Sequence, residues 1–110
     1  TYYLESLEVI KNSVGLNSYD IFIDEENYDY QDDIFQNASN VYCDINEDPI
    51  ITFSKMMNYS NYILANSTFS LFPAFLSENE GSKILYPQPW FVQQAYDSPV
   101  KPNWIPVERN

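Results

Sequence analysis

Three short polar clusters, each following an apolar run, hold the residue types in this chain that could do chemistry. The sharpest is Asn66-Ser67-Thr68. It separates the run Tyr62 to Ala65 from a second apolar block, Phe69, Leu71, Phe72, Phe75 and Leu76. The first run has the length of a buried strand, and the second has the spacing of a helix packed on a sheet. Small polar residues at such a junction can do two things. Their side-chain oxygens can cap the free N–H groups of the helix. Alternatively, those N–H groups and the helix dipole can hold an anion such as a phosphate. Local chemistry alone leaves both readings open.

The second cluster, Asp24-Glu25-Glu26-Asn27, follows the apolar run Ile21 to Ile23. It reads either as a solvated loop or as a carboxylate pair accepting hydrogen bonds from a ribose or a base at a sheet edge. The third runs from Asp44 to Asp48 and stops at Pro49, a residue suited to the first position of a helix. Asp44-Ile45-Asn46-Glu47-Asp48 has some features of a calcium loop but lacks its glycine and its distal glutamate. No metal site is expected.

Composition removes other chemistries. The chain has no histidine, which excludes Ser-His-Asp and Cys-His nucleophiles and His-containing zinc sites. Its two glycines rule out a Gly-rich phosphate loop. The single Cys43 cannot form an internal disulfide and reads as a small buried hydrophobe. Paired carboxylates are plentiful, but nothing singles out one pair as a glycosidase acid and base. Three Asn-X-Ser/Thr triplets, at Asn37, Asn58 and Asn66, match the glycosylation sequon and are read as unmodified. Sixteen acids against five bases give a net charge of −11, which argues against nucleic acid or an anionic membrane as partner. An anionic ligand would meet the same repulsion, so much of the positive charge for a diphosphate should come from elsewhere.

The elements that must position these clusters alternate along the chain. Residues 2–13 carry Tyr3, Leu4, Leu7 and Ile10 at helical spacing, opposite Glu5, Glu8 and Lys11. Tyr19 to Ile23 is a strand, and 28–39 a loop with a short helix. Asn40 to Cys43 is the next strand, and a helix from about Pro49 carries Ile50, Phe53, Met56 and Met57. The strand at Tyr62 and the helix from Phe69 follow, with Pro73 expected to kink or delay that helix. Lys83 to Tyr86 closes the series. Residues 88–110 form a tail with four of the seven prolines, ordered by packing of Trp90 and Trp104. Short apolar strands alternating with helices predict an α/β fold: a Rossmann-like parallel sheet covered by helices on both faces. Right-handed crossovers place the strand-to-helix turns on one edge, where ligands of open α/β sheets bind. The three polar clusters share that edge. The 110 residues read as a single domain, and no run approaches the ~18 apolar residues of a membrane span. A start at Thr1 that leads directly into a helical pattern suggests a fragment.

Ile63-Leu64-Ala65-Asn66-Ser67-Thr68-Phe69-Ser70, followed by Ala74-Phe75-Leu76, resembles the C-terminal motif of the α1,2-fucosyltransferases of glycosyltransferase family 11. Phe22-Ile23-Asp24-Glu25, with Tyr28 behind it, resembles the family's Ser-Asp-Asp segment. Met56 stands at a spacing from Asn66 like that of its methionine segment. Pro87 to Trp90 and Trp104-Ile105-Pro106-Val107 resemble its tail. The chain departs from the family at Ile23 for serine and Glu25 for aspartate. Leu71-Phe72-Pro73 stands in place of two tryptophans and a small residue, and Thr52 falls near an aspartate usual there. The resemblance implies the C-terminal, donor-binding half of a two-domain, GT-B-type inverting enzyme of bacterial polysaccharide biosynthesis. That enzyme moves fucose from GDP-fucose to a galactose hydroxyl of a surface glycan, without metal or other cofactor; the alternatives are a glycosyltransferase domain using another nucleotide sugar and an acidic α/β interaction module without a ligand. It implies that Asn66, Ser67, Thr68 and Phe69 lie along the diphosphate and that Asp24, Glu25 and Asp44 approach the nucleoside. The partners implied are the nucleotide sugar, the glycan acceptor and an N-terminal half carrying an arginine-rich motif. The implied place is the cytoplasm, or the inner membrane's surface by way of that half.

Overall fold

The computed structural model describes residues 2–15, 18–23, 31–43, 46–65, 68–88, 90 and 100–108. Helix α1 (Tyr2–Val14) opens the chain, followed by strand β1 (Asp20–Phe22), α2 (Asp33–Gln36) and β2 (Asn40–Tyr42). Helix α3 (Pro49–Met56), β3 (Tyr62–Ile63), α4 (Thr68–Ser77), β4 (Ile84–Gln88) and β5 (Ile105–Glu108) complete it. The boundaries have local causes. Gly15 takes a φ of 75° and donates its N–H to the Lys11 carbonyl, closing α1 with the left-handed residue that glycine adopts without cost. The Asp32 and Asp48 carboxylates accept the N–H groups of Ile34 and Ile50 and so start α2 and α3, with Pro49 at the first turn of α3.

All strand pairs are parallel, as the alternation of elements predicts, but they form two sheets. One is β1-β2, with Phe22 opposite Tyr42; the other is β3-β4-β5. The second sheet is covered on both faces. Leu64 and Ile84 point to α4, where Leu71, Ala74, Trp90 and Trp104 pack. Leu85, Ile105 and Val107 point the other way, to Tyr2, Val9 and Ile10 of α1. Alternate residues of one strand thus serve opposite layers, which is why these strands read as nearly continuous apolar runs.

Three features differ from the sequence expectation. The tail carries a fifth strand: residues 105–108 pair with β4, and Trp90 and Trp104 are buried beside it. Pro106 does not block this pairing, because β5 lies at the edge of its sheet and the register turns the residue-106 N–H position outward. Helix α1 is rotated from its apolar stripe. Its buried residues are Tyr2 and Ser6, whereas Tyr3 and Leu4 are exposed. The small Ser6, fully buried, lets the helix backbone approach the sheet closely. Finally, Pro73 lies buried inside α4, which begins five residues before it and runs on to Ser77 without delay.

Candidate functional site

The two sheets approach one another at β1 and β3. The Tyr59 hydroxyl donates to one Asp20 carboxylate oxygen, and Asn40 Nδ2 donates to the other at 3.0 Å. The Phe22 and Tyr59 rings meet edge to face at 5.8 Å. Burial first, and then the Asp20 carboxylate, push the Tyr59 hydroxyl pKa well above its ordinary value, so it remains a donor at neutral pH. A cleft of about 1000 Å³ lies along this seam. One wall is Asp20 to Ile23, another is Tyr62 to Ala65 with Ser70, and the floor includes Leu4, Leu7 and Ile10 of α1. The apolar stripe of α1 therefore faces this cleft.

The described strands form two separate sheets, and the seam between them is similar to the switch point of an open α/β sheet. From β1 the chain crosses through α2 to β2 on one side, and from β3 through α4 to β4 on the other. Open α/β sheets bind ligands where successive crossovers diverge in this way. Ile23 and Ala65 both line the cleft, and they are the residues directly before Asp24 and Asn66. Two of the polar clusters thus leave from one cleft. Strand β2 ends beside β1, so Asp44 leaves from the same end of that sheet as Asp24.

Of the seven residues that the sequence puts forward, Asp24, Glu25, Asp44, Asn66 and Ser67 lie outside the described residues. Thr68 and Phe69 open helix α4. The flanks of Asn66-Ser67 are held firmly. On one side the Tyr2 hydroxyl donates to the Leu64 carbonyl at 2.6 Å. On the other, Ser70 Oγ donates to the Ala65 carbonyl at 2.9 Å. Ala65 thus stands at a held strand end, and the ten-residue helix α4 starts at Thr68.

The acids after β2 divide by role. Asp48 is the cap of α3. Glu47 accepts Lys55 Nζ at 2.9 Å and Thr52 Oγ1 at 2.7 Å, and these two bonds, Lys55 first, hold its carboxyl below the ordinary value. Both are committed to building α3. Lys55 also stands 5.5 Å from the centre of the Tyr42 ring, which brings a cation close to the end of β2. Sequence reasoning missed the Asp20–Tyr59–Asn40 network, because Asp20 looked like an ordinary strand residue and its partners lie 20 and 39 positions away.

The family model described as Glycosyl transferase family 11 matches residues 1–108. An Escherichia coli protein named alpha-1,2-colitosyltransferase is 25% identical over 112 residues, covering 98% of this chain and 39% of that protein. The chain thus spans about two fifths of the length of this curated relative. No solved structure gives a significant match. A match that runs through all nine elements, from α1 to the end of β5, places the chain in glycosyltransferase family 11.

Proposed function

We propose that this chain is the donor-binding part of an inverting transferase that moves a 6-deoxy sugar, fucose in the first reading, from its GDP carrier to a hydroxyl of a glycan. The observation that carries the reading is the β3–α4 junction. In a chain of this family, a held strand end at Ala65 and the N-terminus of helix α4 at Thr68 flank Asn66-Ser67 in the sequence, beside the cleft. The N–H groups of such a terminus suit the diphosphate that departs as the glycosidic bond forms. Asp24, Glu25 and Asp44 then serve the nucleoside. The described chain supplies few cations for this charge, so arginines outside these 110 residues complete the neutralisation, and the chain alone does not turn over. No metal is needed for donor binding in this reading.

The relative's name favours a second donor. Colitose is fucose without its 3-hydroxyl, so a pocket for one nearly fits the other. The acceptor linkage in that name is the same α1,2.

The test is an NMR titration of the chain with GDP beside UDP. GDP-selective shifts at Ser67, Thr68 and Phe69 and around Asp44 are expected. Equal shifts with both nucleotides would keep the phosphate site and discard the guanine preference. Absence of any shift in the chain and in a protein that includes the arginine-bearing half would end the reading. Turnover of GDP-fucose against GDP-colitose by that longer protein decides the donor.

A further inference from the structure

Strand β4 is the central strand of its sheet, and it contains a proline. The parallel register pairs Tyr62 with Ile84 and Ile63 with Leu85. Along this ladder the Tyr62 N–H donates to the Lys83 carbonyl and the Leu64 N–H to the Leu85 carbonyl. The next bond in the series would run from the N–H of residue 87 to the Leu64 carbonyl. Residue 87 is proline and has no N–H. Leu64 is almost fully buried, and a buried carbonyl left without a donor is costly. The Tyr2 hydroxyl fills the vacancy. It reaches the Leu64 carbonyl at 2.6 Å and lies 3.3 Å from the Leu85 carbonyl, from a helix 62 residues earlier in the chain.

We infer that Tyr2 is a positioning residue for the donor site, taking over the hydrogen bond that Pro87 cannot make and so setting the exit of β3 at Leu64 and Ala65. The inference rests on the donor-site reading above. Because the bond comes from α1 and not from β4, the last carbonyls of β3 are set by where α1 sits. Ser70 fixes the following carbonyl, that of Ala65, from the helix side. Through the Ser70–Ala65 bond the same strand end is tied to the first turn of α4, whose N–H groups are the backbone donors of that reading. A site of backbone donors depends on such preorganisation, since a misplaced donor loses most of its value.

The prediction uses a double-mutant cycle on the 110-residue chain, read by GDP affinity and by the amide shifts of Ala65, Thr68 and Ser70. Tyr2→Phe keeps the ring and its packing and removes only the hydroxyl. It should shift those amides in the free protein and weaken GDP by about fivefold, the worth of one hydrogen bond. Pro87→Ala returns an N–H to the vacant place. In that background the same Tyr2→Phe change should cost less than about twofold, because Leu64 keeps a donor. Loss of stability in Tyr2→Phe with unchanged GDP affinity would make Tyr2 a structural residue only and overturn the inference. An undiminished effect in the Pro87→Ala background would refute the proline argument. If the wild-type chain alone shows no measurable GDP binding, the same cycle is read in a protein that includes the arginine-bearing half; no binding there would remove the donor-site reading, and the positioning role with it.

Discussion

Thr68 opens helix α4. Thr68→Val preserves its shape and removes the hydroxyl. If that hydroxyl meets the diphosphate, GDP binding should weaken by about 1 kcal/mol in a calorimetric titration. Unchanged affinity would make Thr68 a residue of the helix start alone. At the same scale, the sequence put forward residues that follow strands: Asp24 and Asn66 come directly after the cleft-lining Ile23 and Ala65, and lie outside the described residues. The bond from Tyr2 to Leu64 and the network around Asp20 were not legible. Each joins residues far apart in sequence, and no local pattern encodes a hydroxyl standing in for a proline's missing N–H.

Glu78 governs how the last strand is attached. Its carboxylate, just past the end of α4, accepts Lys101 Nζ at 2.7 Å and, at 3.0 Å each, Asn103 Nδ2 and Trp104 Nε1. These bonds fix the turn that leads into β5. The Lys101 bond is the largest of the influences that hold the Glu78 carboxyl below its ordinary value. A carboxyl with a depressed folded-state pKa stabilises the fold above its unfolded value, near 4.5, and loses that contribution as pH falls through the folded value. Chemical denaturation from neutral to acid pH should therefore show a loss of stability below 4.5 that shrinks in Glu78→Gln. An identical acid limb in both proteins would mean that the ion pair contributes nothing. The elements themselves were mostly readable. Glycine, proline and capping aspartates punctuate short apolar runs, and the helices and first four strands fall close to where those signals put them. Strand β5 escaped because two prolines flank or interrupt it, and a sequence does not say that a strand lies on an edge. The face of α1 was misjudged because Ser6, a polar residue, is what the sheet buries.

On the scale of the molecule, Leu85, fully buried in the central strand, seats helix α1 on the three-stranded sheet. Leu85→Ala should cost about 2–5 kcal/mol in urea denaturation, the usual range for such a truncation. A loss below about 1 kcal/mol would show that α1 stays seated without it. The whole-molecule charge bears on function. With a net charge of −11, the approach of GDP is opposed at long range. Raising the ionic strength toward about 0.15 M shortens the reach of that repulsion to about 8 Å, so GDP affinity for this chain should rise with salt. A fall would place strong local cations at the site.

Pro106 has a consequence beyond the pairing it permits. The outer rim of β5 is an open ladder edge, the kind of surface on which identical chains stack during synthesis or storage. At its middle the proline offers a ring in place of a donor, and the exposed Glu108 adds a like charge to any copy that approaches. The rim is thereby closed to further strands, leaving this aromatic-rich domain less prone to self-association through that edge.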